Sequence, residues 1–340
     1  MVMNALSADA IGETDVRNAP QALSEHAMHA GAIVFQGDRK LAVETLELVK
    51  PEADDLVVEI HWSGISTGTE RLLWSGEMPP FPGLSYPLVP GYESVGRVIF
   101  SQNHTELIGR TVFVPGAHSF KNVAGLFGAT ADTVVVPAER CLILKQKPQK
   151  SDILLALAAT AYHAVKVAEA PDLIIGHGVL GRLIARISIA LGNPAPTVWE
   201  TNPARRGSTD YEVTSSEDDA HRAYQSVCDA SGNVPVLDTA ISRMARGGVL
   251  TLAGFYSDRP SFNFPPAFMR ELTIRIAAEW ARADLEATQA LRDQNLLSFE
   301  GLITHQQTPD HADQAYKTAF SDTACLKMVL DWRAVHDHAS

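Results

Sequence analysis

The fold of this chain is decided by the stretch Asp172-Leu173-Ile174-Ile175-Gly176-His177-Gly178-Val179-Leu180-Gly181. A short apolar strand leads into Gly-x-Gly-x-x-Gly, and a helical pattern follows. In such a turn the first glycine makes the bend, the second lets the backbone approach a pyrophosphate, and the third lets the helix pack close to the strand. Free N–H groups at the helix N-terminus bind phosphate oxygens. The candidate cofactor-binding residues of this turn are Gly176, Gly178, Val179, Leu180 and Gly181.

An acidic residue stands where a dinucleotide site needs one. The next strand-like run, Thr197-Val198-Trp199, ends at Glu200, 19 residues after Gly181. A carboxylate there accepts hydrogen bonds from a ribose 2′-hydroxyl and repels a 2′-phosphate, which favours NAD over NADP. Arg205 and Arg206 follow and could tolerate a phosphate; we interpret them as solvated loop charges.

The pattern of elements divides the chain. Strands alternate with helices over 151–299, which is typical of a doubly wound parallel sheet and predicts the NAD-binding domain. Short strands separated by turn signals predict a β-rich module over 29–150. We predict that residues 300–335 belong to the same module. We predict a disordered extension for 1–28, which is polar and lacks periodicity.

Local patterns give finer expectations. Residues 63–92 are dense in Gly, Pro, Ser and Thr, which predicts an ordered loop without regular structure. The spacing predicts a helix over 153–168 and a strand over 249–255. The acidic run 217–219 reads as the solvated start of a helix.

Composition excludes several classes of protein. The 340 residues carry 28 Lys and Arg against 40 Asp and Glu, a formal charge of −12, without a long basic block. Nucleic-acid binding needs clustered cations, so that role is excluded. The three cysteines, Cys141, Cys228 and Cys325, are far apart and form no C-x-x-C pair, which excludes a disulfide framework and a Cys-rich zinc site. No apolar run of 18 residues and no secretory signal are present, and we expect a cytoplasmic protein.

A β-rich module ahead of this nucleotide-binding unit resembles the medium-chain dehydrogenase/reductase superfamily. The likeness extends over about residues 30–333 and is carried by the glycine turn and by 64–70 (GISTGTE), 90–96 (PGYESVG) and 160–162 (TAY). The resemblance implies an α/β architecture, in which a GroES-like catalytic domain is joined to a Rossmann domain. It also implies a homodimer.

The zinc positions of that superfamily are altered. Zinc-dependent members carry Cys where Ser66 stands and His where Tyr92 stands, and their third ligand would fall near Ala156 or Leu157. The lobe that holds a structural zinc with four cysteines is absent from the sequence. Zinc sites use thiolate and imidazole ligands, so we predict that no metal is bound.

Longer strings are similar to the bacteriochlorophyllide a dehydrogenase family of bacteriochlorophyll synthesis. They are 62–74 (WSGISTGTERLLW), 78–83 (MPPFPG), 86–93 (YPLVPGYE) and 324–332 (ACLKMVLDW). This resemblance implies oxidation of the 3-(1-hydroxyethyl) side chain of a bacteriochlorophyllide to 3-acetyl, with NAD as the hydride acceptor.

Without zinc, side chains have to accept the proton of the substrate hydroxyl. The carried-over positions place Ser66, Thr69, Tyr92 and Glu93 near the altered metal site. Tyr92 could hydrogen-bond the carbinol oxygen, and Glu93 could relay the proton. His163 has the side-chain type best suited to a general base. The structural alternatives stay open: Tyr92 fills the space left by zinc, and His163 is a half-buried, satisfied histidine.

Aromatic residues suggest where a flat macrocycle would lie. Trp62, Trp74, Phe81 and Tyr86 could form an apolar wall, or they fasten a Pro-rich loop to the core. At predicted strand ends, Ser231 and Gly254 are expected to line the nicotinamide side of the cleft.

Two other functions remain open at this point. One is a zinc-free NAD(P)H reductase of quinones or enones. If NADPH is the hydride donor, Glu200 argues against this function, because its carboxylate repels a 2′-phosphate. The other is an NAD-binding protein that catalyses no reaction. The hydroxyl-bearing residues of the cleft are mild evidence against it.

Overall fold

The computed structural model describes residues 28–80, 82–167, 169–207 and 210–337. The predicted extension over 1–28 therefore falls, except for Met28, outside the described residues. The elements up to residue 166 are β1 (His29–Gly37), β2 (Lys40–Glu47), β3 (Asp55–Ile65), α1 (Thr69–Ser75), β4 (Leu88–Val89), β5 (Ser94–Ser101), β6 (Thr111–Val114), β7 (Ala124–Gly125), β8 (Thr133–Pro137), β9 (Leu142–Leu144) and α2 (Leu155–Lys166).

The rest of the chain alternates strands and helices before returning to strands. Its elements are β10 (Leu173–Ile175), α3 (Val179–Ala190), β11 (Thr197–Trp199), β12 (Val213–Thr214), β13 (Tyr224–Asp229), α4 (Val236–Arg243), β14 (Met244–Leu252), α5 (Phe264–Met269), β15 (Thr273–Ile276), α6 (Arg282–Asp293), β16 (His305–Gln307), α7 (Ala312–Ser321), β17 (Met328–Asp331) and α8 (Arg333–Asp337).

Three sheets organise these strands. A six-stranded sheet has the order β12-β11-β10-β13-β14-β15, and every neighbouring pair in it is parallel. A seven-stranded sheet runs β16-β17-β3-β5-β6-β9, with β8 also paired to β3, and a four-stranded sheet runs β2-β1-β4-β7. Strands β16 and β17 thus lie in the sheet of β3, while the exact domain bounds stay a prediction.

Strand order places the nucleotide site. The chain moves from β10 to β11 on one side and reaches β13 on the other, so the order reverses at β10. Ligands of open α/β sheets bind at the carboxyl ends of the strands at such a reversal. The turn Gly176–Gly181 follows β10 at that end, and α3 begins inside it at Val179.

Several local expectations need correction. Thr69–Ser75 is a helix rather than loop, because Glu70, Leu72 and Leu73 bury one side of it and Gly76 ends it in a left-handed conformation. The expected helix over 153–168 begins with a 3-10 turn, Lys150–Leu154, and continues as α2. β14 ends at Leu252, so the strand expected over 249–255 lies earlier, and residues 253–255 follow it.

The acidic run also differs from its prediction. Residues 216–218 form a turn rather than a helix, and Asp219, which follows it, is buried. Its Oδ2 accepts hydrogen bonds of 2.7 Å from Trp199 Nε1 and from the Tyr224 hydroxyl. These two aromatic donors satisfy the buried carboxylate. The charge pattern of the sequence alone does not predict such partners.

Candidate active site

Three hydroxyl groups meet where β3 and β5 converge. Ser66 follows the last residue of β3, Thr69 opens α1, and Tyr92 precedes β5. The Tyr92 hydroxyl oxygen lies 2.7 Å from Ser66 Oγ and 3.5 Å from Thr69 Oγ1. The ring of Tyr92 packs edge-on against Phe127, which fixes its direction. The structure therefore brings together three of the predicted catalytic residues.

The surroundings of Tyr92 decide its protonation. Burial raises the pKa of the Tyr92 phenol well above its usual value, and the neighbouring Glu93 carboxylate raises it further. The phenol therefore keeps its proton at neutral pH. Such a group is suited to donating a hydrogen bond to an oxygen atom, rather than to removing a proton as a base.

Glu93 forms a buried ion pair that the sequence reading missed. Its carboxylate contacts the ammonium group of Lys327, and both side chains are almost fully enclosed, 0% and 2% exposed. Burial raises the pKa of Glu93, and the Lys327 ammonium opposes that effect. A Cβ atom on Gly64 would overlap Glu93 Oε2 and lie 3.0 Å from Lys327 Cε, so the glycine makes room for the pair.

A second buried acid, Glu70, contacts the hydroxyl cluster at Ser66. Glu70 accepts a hydrogen bond of 3.1 Å from Ser66 N and one of 2.7 Å from the Tyr316 hydroxyl. Burial raises the pKa of Glu70 to about 7, although the hydrogen bonds from Tyr316 and Ser66 lower it in part. Glu70 was part of the motif 64–70 but was not singled out, although an acid within an apolar helix is a signal of burial or function.

These residues do not fit a catalytic zinc site. The two ligand positions hold a serine and a neutral tyrosine that are hydrogen-bonded to each other, and Ala156 at the third position has no donor atom. Zinc prefers deprotonated thiolate, imidazole and carboxylate ligands. Within the part of the chain that is described, no group of three His, Cys, Asp or Glu side chains is placed to hold a metal ion.

The glycine turn fits a nicotinamide dinucleotide. A Cβ on Gly181 would overlap the Gly176 carbonyl oxygen, and Gly176 has a φ of +96°, so both positions need glycine. Nothing lies within 4 Å of the corresponding point at Gly178, which leaves the backbone open to a phosphate. Val179 and Leu180 supply the free N–H groups of the first turn of α3.

Glu200 is held beside this turn. Its Oε2 accepts a hydrogen bond of 3.1 Å from His177 N, and its Oε1 accepts one of 2.8 Å from Asn202 N. A carboxylate has about four acceptor positions, so both oxygens can still bind a ribose hydroxyl. The acid predicted to read the ribose therefore lies at the correct edge of the sheet.

The two arginines after Glu200 are not solvated charges, and that interpretation is wrong. Arg206 donates to the carbonyl oxygens of Glu200 and Thr201, at 2.7 and 3.1 Å. Arg205 donates twice to the carbonyl oxygen of Thr323, at 2.8 and 2.6 Å. Main-chain carbonyls hold both guanidinium groups, because the fold brings these acceptors next to the loop.

Ser231 and Gly254 lie together at the ends of β13 and β14. The hydroxyl and N–H of Ser231 both donate to the buried Asp229, at 2.6 and 3.1 Å. A Cβ on Gly254 would lie 2.5 Å from Gly232 N, so the two loops approach closely there. Both residues thus border the edge of the sheet where the cofactor is expected.

His163 does not join the hydroxyl cluster. Its Nδ1 lies 3.0 Å from Asp284 Oδ2 on α6, and Lys166 contacts the other oxygen of Asp284 at the same distance. Asp284 also accepts from Ala281 N and so caps α6. The contacts of His163 tie α2 to α6, which matches the alternative of a satisfied histidine.

The three described aromatic residues, Trp62, Trp74 and Tyr86, do not form one wall. Trp62 is 8% exposed and packs in the core of α2 and α3, with the Arg333 guanidinium 4.5 Å from its ring centroid. Trp74 packs against the other core, next to Phe320. The Tyr86 hydroxyl donates to the Leu73 carbonyl and fastens the loop to α1. Phe81 lies outside the described residues.

The chain is similar to proteins of known name. The Alcohol dehydrogenase GroES-like domain family matches residues 52–146. The protein named 2-desacetyl-2-hydroxyethyl bacteriochlorophyllide A dehydrogenase from Cereibacter sphaeroides is 48% identical over 90% of this chain and 99% of its own length. The protein of the same name from Rhodobacter capsulatus is 49% identical over the same shares.

Solved structures agree in fold. The 2R,3R-butanediol dehydrogenase of Bacillus subtilis superposes with a TM-score of 0.77 at 18% identity, covering 89% of this chain and 99% of its own. An alcohol dehydrogenase from E. coli, solved with NADH, gives 0.76 at 17% identity over the same shares. These likenesses confirm the expected architecture, a GroES-like domain with a Rossmann domain.

Proposed function

This chain belongs to the bacteriochlorophyllide a dehydrogenase family within the medium-chain dehydrogenases/reductases, and we propose that it oxidises the hydroxyethyl group of a bacteriochlorophyllide to acetyl in bacteriochlorophyll synthesis. The observation that carries this proposal is near-50% identity along almost the whole length of two relatives of that name. The reaction removes a hydride from the carbinol carbon and a proton from its hydroxyl group.

We propose NAD as the cofactor, and when bound it accepts the hydride. Two observations support this proposal: the backbone at Gly178 is open, and the Glu200 carboxylate is bonded to the same turn through His177 N. The same carboxylate opposes a 2′-phosphate. Arg205 and Arg206 each donate from two nitrogens to main-chain carbonyls, and Arg206 also lies 3.7 Å from Asp218, so both guanidinium groups already have partners within the protein.

We propose that the substrate oxygen is held without a metal. The Tyr92 phenol, which keeps its proton, donates a hydrogen bond to the carbinol oxygen, and Ser66 holds the phenol in position across 2.7 Å. Thr69 supports the same hydroxyl from the start of α1. Charge that develops on the substrate oxygen is stabilised by this donor. The proton of the substrate hydroxyl is released to water, since Tyr92 and Thr69 are only partly buried.

We propose that two copies of the chain associate through β15. It is the terminal strand of the parallel sheet, and all four of its residues are exposed. Ile276 on β15 is 77% exposed, and Phe268 and Met269 on the adjacent α5 are 64% and 70% exposed. An unpaired apolar edge strand pairs readily with a second copy. In sedimentation analysis, Ile276→Lys should halve the particle mass, whereas Ile99→Lys on β5 should leave a dimer.

No helix in the described residues is both long and apolar enough to cross a bilayer. We propose a cytoplasmic location, as the sequence led us to expect. The function is tested by incubating the purified protein with NAD and a hydroxyethyl bacteriochlorophyllide and by following the absorption shift of the acetyl product. Product formation with NAD supports the proposal. Cofactor binding without product would contradict it.

A further inference from the structure

Arg205 joins the cofactor loop to a distant part of the chain. It ends the 3-10 turn Pro203–Arg205, which follows Glu200. Its guanidinium donates from Nε and Nη2 to the Thr323 carbonyl, 118 positions away. Thr323 lies between α7 and β17, and β17 pairs with β3, the strand that leads into Ser66. This contact therefore spans from the nucleotide-binding loop to the sheet of the hydroxyl cluster.

The main chain of Arg205 is tied to the glycine turn. Its carbonyl oxygen lies 2.6 Å from Nδ1 of His177 and accepts a bond of 3.1 Å from Arg182 on α3. Burial lowers the pKa of His177 to about 4, so the ring is neutral and Nδ1 carries the donated hydrogen. Because the N–H of His177 also binds Glu200, the ribose acid, the turn and Arg205 form one hydrogen-bonded unit.

The far end of this link leads to the buried ion pair. Thr323 stands four residues before Lys327, whose ammonium group contacts Glu93 next to Tyr92. The intervening segment is held by bonds from Cys325 N to Asp322 O, 3.0 Å, and from Leu326 N to Thr304 Oγ1, 2.9 Å. These bonds constrain the segment between Thr323 and Lys327.

Among the described residues, three other side chains that link distant segments lie outside the cofactor loop. On α6, Arg282 donates to the carbonyls of Glu139 and Cys141, and Gln289 donates to that of Ile143. On α3, Arg186 donates to the carbonyls of Ser298 and Glu300, at 2.8 and 2.9 Å. Their donors and acceptors are independent of Glu200, whereas Arg205 belongs to the unit that contains it.

We propose that Arg205 couples cofactor binding to the placement of residues 322–328, and through them to the Lys327–Glu93 pair. The proposal rests on the nicotinamide dinucleotide site proposed above. Arg205 acts as a positioning residue: a ribose bound at Glu200 orders the loop and strengthens the contact with Thr323. By linkage, that contact in turn favours the bound cofactor.

Hydrogen exchange measured by mass spectrometry on the full chain tests this coupling. Exchange at 322–328 is compared without cofactor, with saturating NAD and with saturating NADP, in the wild type and two variants. Arg205→Ala removes the link. Arg186→Ala is the matched control, because it also removes a guanidinium that donates twice to carbonyl oxygens, but outside the cofactor loop.

In the wild type, cofactor should slow exchange at 322–328, and Arg205→Ala should abolish that protection and weaken cofactor affinity by about fivefold or more. Arg186→Ala should keep the protection. If NADP rather than NAD gives the Arg205-dependent protection, the coupling stands and the proposed choice of cofactor falls. Protection that survives in Arg205→Ala, or its absence from the wild type with both cofactors, would overturn the coupling.

Discussion

Ser66 Oγ and the Tyr92 hydroxyl oxygen lie 2.7 Å apart, at the two positions that the superfamily resemblance assigns to the Cys and His ligands of zinc-dependent members. Both groups are protonated hydroxyls, whereas zinc sites in proteins use thiolate, imidazole and carboxylate ligands. With Thr69 the two hydroxyls form a compact donor group next to two buried acids. The predictions below follow from this arrangement and from the cofactor site beside it.

Tyr92→Phe should lower kcat by about 100-fold, the usual effect of removing one donor that stabilises charge on a reacting oxygen. The ring and its packing on Phe127 are kept, so the variant should still bind NAD with unchanged affinity. Steady-state kinetics and a cofactor titration measure the two effects separately. A variant with wild-type kcat would show that the phenol only fills space.

Glu200→Ala should relax cofactor choice toward NADP, because the carboxylate no longer repels a 2′-phosphate. The ratio of kcat/KM for NAD to that for NADP should fall by at least about tenfold. Glu212→Ala is the control, since it removes an exposed acid in the same module. An unchanged ratio in Glu200→Ala would mean that another residue reads the ribose.

Glu70→Gln should change how stability depends on pH. The pKa of about 7 in the folded protein lies above the usual 4.5 of an exposed glutamate, so the folded protein binds an extra proton between these pH values. The contribution of Glu70 is therefore complete at low pH and is lost as pH rises through 7.

From pH 5 to pH 8, the free energy of unfolding of the wild type should fall relative to Glu70→Gln by about 2.5 kcal/mol. Urea denaturation at the two pH values measures this difference. Glu77→Gln, at a side chain 62% exposed, serves as the surface control. A difference that does not vary with pH would contradict the burial of an ionisable Glu70.

Lys327→Met should destabilise the protein by about 3 to 5 kcal/mol, because it leaves the Glu93 carboxylate buried without its partner. The double variant Glu93→Gln/Lys327→Met carries neither charge and should recover most of that loss. Urea denaturation of the two single variants and the double variant completes the cycle. Additive losses would show that the two groups do not interact.

The sequence was sufficient for the features that follow a short local rule. The glycine turn, Glu200 and the parallel sheet depend on spacing and strand ends, and the Ser66, Thr69 and Tyr92 positions came from resemblance to a family. The partners of Lys327, Arg205 and Asp219 could not be predicted, because each contact joins residues that only the tertiary fold brings together. His163 shows the opposite case. Its residue type suits a general base, but in the fold it is hydrogen-bonded to Asp284, away from the hydroxyl cluster.

The central claim is that the hydroxyl pair, without a metal, supports alcohol oxidation in this protein. Its most direct test measures metal content and turnover on one preparation: purified protein is treated with a strong chelator, analysed for zinc, and assayed with NAD and a hydroxyethyl bacteriochlorophyllide. We expect substoichiometric zinc and an undiminished rate of acetyl product formation. Stoichiometric zinc, with activity lost on its removal and restored on its return, would contradict the account.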